Sequence, residues 1–173
     1  MKTLLNRGIY EGFTRTHLTR ARHFIWIATA NIKATRLLLG NTFVSFPDFM
    51  AAMVHKGVTF RIIHSELPSG PFRERYEQLD KGGMLSAGVE FLFCERNHAK
   101  IFVVDGRTAL VGSANLTGAG IGAKSADKRN FEVGFLFEGE QETRPFVDYF
   151  DEIWMGARCP TCGFRSSCPA PAA

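Results

Sequence analysis

The sequence predicts an α/β fold with a mixed, largely parallel β-sheet and helices on both of its faces. Short apolar runs typical of strands alternate with amphipathic segments typical of helices along most of the 173 residues. An Asp105-Gly106 pair between two apolar runs predicts a tight hairpin, which adds an antiparallel strand pair to the sheet. With 45% hydrophobic residues, the chain has enough apolar side chains for one packed core.

Four segments have the composition of helices. At the N-terminus, Leu5, Ile9 and Phe13 recur at intervals of four residues. Ser45, which stands before a proline and an aspartate, is typical of a helix N-cap, and the helix it starts ends at Gly57. Two further helices are predicted at residues 72–79 and 142–155, the second with one apolar side formed by Phe146, Tyr149, Phe150, Ile153 and Trp154.

Strands are predicted where the apolar runs are short and rich in β-branched or aromatic residues. They cover residues 24–30, 58–63, 89–93, 98–104, 108–111 and 131–137. The last predicted helix closes this succession of elements, so we expect one domain at residues 1–157. Residues 158–173 are then a C-terminal tail rich in Cys and Pro.

Positive charge is concentrated at the N-terminus. The net charge is +4, and residues 1–36 hold seven Lys or Arg side chains against one acidic side chain. Such a region attracts nucleic acid or an anionic membrane surface, although a solvated helix face explains it equally well. The longest apolar run is far shorter than the roughly 20 residues of a transmembrane helix. Charged residues interrupt any secretory signal, so a cytoplasmic location is expected.

A group of polar side chains is predicted to meet at one pocket. His98 and Lys100 lie two residues apart in an apolar stretch, so on a strand their side chains leave the same face. The hairpin returns the chain beside this strand and brings Ser113 and Asn115 close to His98. A neutral imidazole is nucleophilic near pH 7, and an ammonium group beside it attracts an anion. The pattern therefore predicts a site at which one phosphate is bound.

The same residues carry a resemblance to a known family. The His-x-Lys-x4-Asp pattern from His98 to Asp105, followed by the Gly-Ser-x-Asn sequence that ends at Asn115, resembles the HKD motif of the phospholipase D superfamily. The Asn-Leu-Thr-Gly segment that follows and the Asn-x-Glu segment that ends at Glu132 are also similar. The resemblance spans residues 20–155 and implies a phospholipase D-like α/β sandwich.

The resemblance implies a phosphodiesterase, a hydrolase that needs no metal cofactor. In this family one motif histidine attacks phosphorus and forms a phosphohistidine, and a second motif histidine protonates the leaving oxygen. Because the chain has one motif, the resemblance implies a homodimer in which two copies of His98 share one site.

The resemblance also assigns roles around His98. Lys100 and Asn115 are expected to bind the nonbridging phosphoryl oxygens and to stabilise the charge that develops at phosphorus. Ser113 is expected to help hold the site together. Glu132 is expected to accept the other ring N–H of His98, which would fix its tautomer and raise its basicity.

Asp105 is the third signature residue of the motif and is included with the catalytic set for that reason. It begins the hairpin, and five residues from Lys100 it faces away from the pocket in a regular strand. We therefore expect a structural role in which its carboxylate binds the amides of the turn.

Three functions remain open. The leading one is an endonuclease-like enzyme that acts on nucleic acid, supported by the basic N-terminus and by Lys124, Lys128 and Arg129, which are expected to bind substrate phosphates beside the site. The first alternative is a phospholipase D or phosphatidyltransferase that acts on phospholipid. The second alternative is a catalytically idle module that binds nucleic acid.

The tail has three cysteines of its own. Cys159 and Cys162, in a Cys-Pro-x-Cys-Gly sequence, resemble half of a zinc knuckle, and Cys168 would be a third ligand. A closed structural site has four ligands, so Cys94, a histidine or a second chain would have to complete it. The alternative is a disordered tail with reduced thiols, which the Pro- and Ala-rich ending favours.

Overall fold

The computed structural model describes residues 1–169 of the chain. Residues 170–173 lie outside the described residues, and with them most of the ending that was predicted to be disordered. The strands are β1 (Lys2–Leu5), β2 (Phe24–Thr29), β3 (Arg36–Leu39), β4 (Thr42–Ser45), β5 (Thr59–His64), β6 (Val89–Phe93), β7 (Ile101–Val104), β8 (Thr108–Gly112) and β9 (Val133–Glu138). The helices are α1 (Arg7–Ile9), which a π-helical segment (Tyr10–Thr14) continues, α2 (Phe46–Val54), α3 (Gly70–Leu79) and α4 (Glu140–Trp154), with 3₁₀ turns at Leu18–Arg20 and Ala126–Lys128.

Within residues 1–169 seven strands form one mixed sheet in the order β1-β9-β8-β7-β2-β5-β6, and β3 and β4 form a separate hairpin. The predicted mixed α/β fold is confirmed. Only the pairs β2–β5 and β5–β6 are parallel, because each is joined by a crossover that includes a helix. The other four pairs are antiparallel, yet five of the seven strands point in one direction.

Helices cover both faces of the sheet, as predicted. On one face α4 packs across β7, β8 and β9, and Phe150 joins a buried cluster with Val103. On the other face α2, α3 and the N-terminal helical segment enclose the larger core, to which Phe13, Phe49 and Phe72 belong. The central strands are therefore buried on both sides, which holds their ends in fixed positions.

Two local predictions are confirmed in detail. The Ser45 hydroxyl accepts the N–H of Asp48 at 3.3 Å and caps the N-terminus of α2. Asp105 and Gly106 have φ angles of +53° and +67°, the left-handed conformation that a type I′ hairpin turn requires at both central positions. The hairpin therefore pairs β7 with β8 and returns the chain to the end of β7 near His98.

Three assignments of single residues are wrong. Leu5 lies on the edge strand β1 and is 59% exposed, whereas Ile9 and Phe13 are buried in the helical segment that follows. Tyr149 on α4 is 48% exposed, and Phe131 precedes β9 and is 97% exposed. The β3–β4 hairpin was not predicted. Strand β1 was not predicted either, because it is stabilised by pairing with β9 from the far end of the sequence.

Candidate active site

His98 and Lys100 lie immediately before β7 rather than on it. The prediction that a strand places them on one face is therefore wrong, although the two side chains do meet. The Lys100 Nζ donates to the backbone oxygen of His98 at 2.8 Å and lies 3.3 Å from the His98 Nδ1. His98 is exposed and Lys100 is partly buried. The irregular backbone thus curls the ammonium group back against the imidazole.

Lys100 is a cation in a partly desolvated position. Burial lowers the pKa of Lys100, and the negative charges of Glu132 and Glu66 act in the opposite direction. Both carboxylates are therefore close enough to interact with the ammonium group. A phosphate that enters the site would compete with them for this cation.

Asn115 is held with its amide in one orientation. Its Oδ1 accepts the backbone N–H groups of Ala30 at 3.1 Å and Asn31 at 3.4 Å, and the hydroxyl of Thr29 lies 3.1 Å from the same oxygen. Two N–H donors on one atom identify that atom as the carbonyl oxygen. The NH₂ group of Asn115 is thereby directed away from these partners and can donate to a substrate oxygen.

Sequence reasoning missed Thr29. It is fully buried at the carboxyl end of β2, where its hydroxyl also accepts the N–H of Leu116 at 3.1 Å. Its position in the sequence gives no signal, since Asn115 follows 86 residues later. Only the pairing of β2 with β7 brings the two residues together.

Ser113 and Glu132 form a second small network at this edge. The Ser113 hydroxyl donates to the Glu132 carboxylate and accepts the N–H of Val133 at 3.1 Å. The side-chain amide of Asn130 donates to the other Glu132 oxygen at 3.0 Å. In the hydrogen bonds that join residues 1–169, Glu132 has no bond to His98, so the predicted contact does not form within one chain.

The Glu132→Gln variant is expected to lower kcat for bis(p-nitrophenyl) phosphate by about 10²-fold, because Ser113 and Asn130 lose their charged acceptor and the phosphate-binding groups shift. Steady-state kinetics with the small diester measure the effect. The matched control is Glu142→Gln, which removes an exposed carboxylate from the start of α4. Equal rates for the two variants would remove Glu132 from the site.

Asp105 is not part of this group of side chains. It follows β7, whereas His98 precedes it, so the strand separates the two residues. Its carboxylate accepts the backbone N–H groups of Arg22 at 2.9 Å, His23 at 2.8 Å and Phe24 at 3.0 Å. Asp105 therefore lies apart from the other proposed site residues, and its inclusion in the catalytic set stays a prediction. The expected structural role remains, but the amides belong to the start of β2 and not to the turn.

The basic residues predicted beside the site lie in the loop between Asn115 and β9. Lys124 and Lys128 are exposed and Arg129 is half-buried. The N–H of Lys124 donates to the Gly118 oxygen at 3.0 Å, which folds the loop back toward Asn115. The ion pairs found within residues 1–169 involve none of the three cations. They are therefore available to an anionic ligand.

His64 also lies at this edge, at the end of β5. It is only 7% exposed, its Nδ1 is 3.0 Å from the Glu66 oxygen, and its ring packs edge-on against Phe91 and Phe93. Burial lowers the pKa of His64, which disfavours the protonated form that a general acid needs. His64 is thus an ordinary core histidine, and within residues 1–169 His98 is the one exposed imidazole at the site.

The predicted zinc site, in which Cys159, Cys162 and Cys168 need a fourth ligand from elsewhere, is not assembled in the part of the chain that the structure describes. Among residues 1–169 no group of three or more His, Cys, Asp or Glu side chains is arranged to hold a metal ion. Cys159, Cys162 and Cys168 are half-buried free thiols. The three tail cysteines therefore do not make a zinc site by themselves.

A comparison with models of protein families shows which family the chain belongs to. A family model described as the phospholipase D-like domain of cardiolipin synthase matches residues 14–154. The chain belongs to the phospholipase D superfamily. The matched residues include the segment from His98 to Asn115 and end with α4.

Similar proteins are known by sequence and by structure. The cardiolipin synthase of Oceanobacillus iheyensis is 33% identical over 103 residues, 58% of this chain and 20% of the synthase. The matched region is thus a fifth of the length of that curated relative. The phospholipase D family member Nuc of Salmonella typhimurium has a TM-score of 0.54 at 19% identity, and the match covers 88% of this chain and 92% of Nuc.

Two further solved structures share the fold. NucT of Helicobacter pylori has a TM-score of 0.58 at 14% identity, with 88% of this phospholipase D-like chain and 95% of NucT covered. TrmBL2, described as an archaeal chromatin protein that binds DNA in a novel mode, has a TM-score of 0.55 at 14% identity. That match covers 89% of this chain and 52% of TrmBL2. At these identities the comparison establishes the fold.

Proposed function

We propose that this chain is a metal-independent phosphodiesterase that cleaves nucleic acid as a homodimer. The observation that carries the proposal is the meeting of one exposed imidazole, one ammonium group and one oriented amide, those of His98, Lys100 and Asn115, at the same edge of the sheet. These groups suit attack on phosphorus and binding of the phosphoryl oxygens. A second imidazole is needed, and a second copy of the chain supplies it.

The reaction proceeds in two balanced steps. First, the His98 Nε2 forms a bond to phosphorus, the bond from phosphorus to the leaving oxygen breaks, and the protonated His98 of the second copy donates its proton to that oxygen. Next, water attacks the phosphohistidine, the phosphorus–nitrogen bond breaks, and the second His98, now neutral, accepts the proton from water. The two imidazoles thus have different roles, one as the nucleophile and the other first as acid and then as base.

Lys100 and Asn115 stabilise the charge that develops on the nonbridging oxygens. Nε2 is the atom that acts on the substrate in both copies of His98, as a lone pair in the nucleophile and as an N–H group in the protonated acid, so Nδ1 carries a hydrogen in both. An Nδ1–H group cannot accept a hydrogen bond from the ammonium group that lies 3.3 Å away, so Lys100 leaves Nδ1 and binds the phosphate.

The surroundings of the site support a nucleic-acid substrate. Lys124, Lys128 and Arg129 extend positive charge from the site along the neighbouring loop, which suits a chain of phosphates. Phe131 is almost fully exposed and shares one groove with Arg129 and Arg7. An exposed aromatic ring between cations is typical of surfaces on which the bases of single strands stack.

The Phe131→Ala variant is expected to raise KM for single-stranded DNA by about tenfold, since one base loses a stacking contact. Cleavage of a fluorescent oligonucleotide at several DNA concentrations measures KM. The matched control is Phe43→Ala, which removes an exposed ring from the separate β3–β4 hairpin. If both variants keep the KM of the wild type, Phe131 does not bind DNA.

The second candidate function is hydrolysis or head-group transfer on a phospholipid. It is favoured by the sequence match to cardiolipin synthase. The phosphohistidine chemistry is the same, with an alcohol in place of water for the transfer. Within residues 1–169 no helix has the length and apolar character needed to cross a bilayer.

The test compares wild type and His98→Ala on two substrates in the presence of EDTA. Faster cleavage of single-stranded or plasmid DNA by the wild type supports the proposed nuclease. Release of head group from phosphatidylglycerol vesicles without DNA cleavage would overturn it in favour of the lipid enzyme. Tight DNA binding without turnover would instead support an idle binding module, a role that would leave the motif unused but would agree with the DNA binding named for TrmBL2.

A further inference from the structure

The proposed phosphodiesterase does not use the cysteine-rich C-terminal segment. Residues 158–169 form a series of turns that pack beside the end of β6. A cavity of about 50 Å³ lies between these turns, the end of β6 and the end of α4, and Trp154 and Phe164 form part of its wall. The same cavity is lined by all four cysteines of the chain, which are Cys94, Cys159, Cys162 and Cys168.

Polar donors lie close to two of the sulfurs. The backbone amides of Arg96 and Asn97 are beside the Cys94 sulfur, and the Phe164 amide and the Arg96 side chain are beside the Cys162 sulfur. Donors in such positions suit sulfur atoms that are bound to a metal ion.

The sequence around the sulfurs indicates which metal ion they would bind. A Cys-Pro-x-Cys-Gly turn places two sulfurs on the same side, and four thiolates without an open position are typical of a structural zinc site. The fold supplies what the tail lacks, because it brings Cys94 from the end of β6 to the same cavity as Cys159, Cys162 and Cys168.

We propose that Cys94, Cys159, Cys162 and Cys168 bind one zinc ion as a structural tetrathiolate site. In residues 1–169 the sulfurs surround the cavity without being close enough together to hold an ion, so binding must draw them inward. Such coupling is usual for structural zinc, whose binding free energy orders the ligands. The proposal is independent of the proposed catalytic function.

The site gives the tail a role near the catalytic residues. Cys94 is four residues before His98, and between them the buried Asn97 donates its side-chain amide to the Thr29 oxygen at 3.0 Å. Zinc at Cys94 would fix one end of the segment that joins β6 to β7, and the hydrogen bonds of β7 with its neighbouring strands fix the other end. The ion would therefore stabilise the segment that contains His98 and would take no part in the reaction.

The first test uses the wild-type chain, purified under reducing conditions and given zinc. We expect about one zinc per chain by elemental analysis, and protection of all four thiols from a thiol reagent. Cobalt in place of zinc should give the absorption of tetrahedral thiolate coordination. Absence of bound metal together with four reactive thiols, or disulfide bonds that persist with zinc present, would overturn the proposal.

The second test assigns the ligands. Cys94→Ser and Cys162→Ser are each expected to reduce bound zinc to below about a tenth of the wild-type content, whereas Ser166→Ala in the same segment should retain it. Unchanged zinc in Cys94→Ser would remove Cys94 from the site and with it the proposed link to His98. If a variant does not fold, the thiol protection and cobalt spectra of the wild type decide the matter.

Discussion

Replacing His98 with alanine is expected to lower kcat for phosphodiester cleavage by about 10⁴-fold or more, the loss that follows removal of a nucleophile. The effect is large because the proposed dimer loses two functions at once. One His98 forms the bond to phosphorus and the other donates the proton to the leaving oxygen. Lys100 and Asn115 can still bind the phosphate, so KM should change much less than kcat.

The measurement uses bis(p-nitrophenyl) phosphate with EDTA present. The matched control is His55→Ala, an exposed histidine at the end of α2, which should keep the wild-type rate. Circular dichroism and solution mass must match the wild type for both variants. A His98→Ala protein with substantial turnover would show that the imidazole is not the nucleophile.

A mixing experiment then tests whether two copies share one site. A mixed dimer of wild type and His98→Ala has one imidazole and cannot complete the first step. After subunit exchange at equal amounts, the activity per wild-type chain should fall to about one-half, and a large excess of the variant should nearly abolish it. Activity that stays proportional to the amount of wild type, or an active monomer, would contradict the shared site.

Replacing Asp105 with alanine is expected to lower the free energy of unfolding by about 3 kcal/mol, the largest loss of stability that we predict. Its carboxylate is the acceptor for three consecutive backbone N–H groups, those of Arg22, His23 and Phe24. Asp105 also has a positive φ, which alanine adopts less readily than aspartate or asparagine. The substitution therefore weakens both the hairpin and the start of β2.

Urea unfolding of Asp105→Ala, Asp105→Asn and Asp148→Ala separates the loss of the hydrogen bonds from the effect of the positive φ. Asparagine tolerates the positive φ and keeps one acceptor oxygen, so its loss should be about 1 kcal/mol. Asp148→Ala breaks only an exposed pair with Arg144 and should cost about 0.5 kcal/mol or less. A fully stable Asp105→Ala protein that has lost its activity would return Asp105 to the catalytic set.

Local patterns in the sequence predicted much of the fold. The Ser45 cap, the Asp105-Gly106 turn and β6 are found where they were expected, because each depends on neighbouring residues. Strand β1 was not predicted, since its partner β9 lies at the other end of the chain. Leu5 was placed in a helix for the same reason, as its spacing with Ile9 fits a helix when the pairing is unknown.

The candidate site shows the same division. The motif predicted that His98, Lys100, Ser113 and Asn115 gather at one place, and the hairpin made this prediction physically sound. Their hydrogen-bond partners could not be predicted, because they come from other strands. Glu132 was expected at His98 and is bonded to Ser113.

The sequence by itself determined the α/β class, the hairpin and the choice of residues proposed to bind phosphate, since these follow from local spacing and from the resemblance to a family motif. Only the tertiary structure decided which side chains orient them. The order of strands brings Thr29 to Asn115, the start of β2 to Asp105, and Cys94 to the cysteines of the tail. These contacts join residues far apart in the chain, and sheet pairing and core packing, rather than local propensity, bring them together.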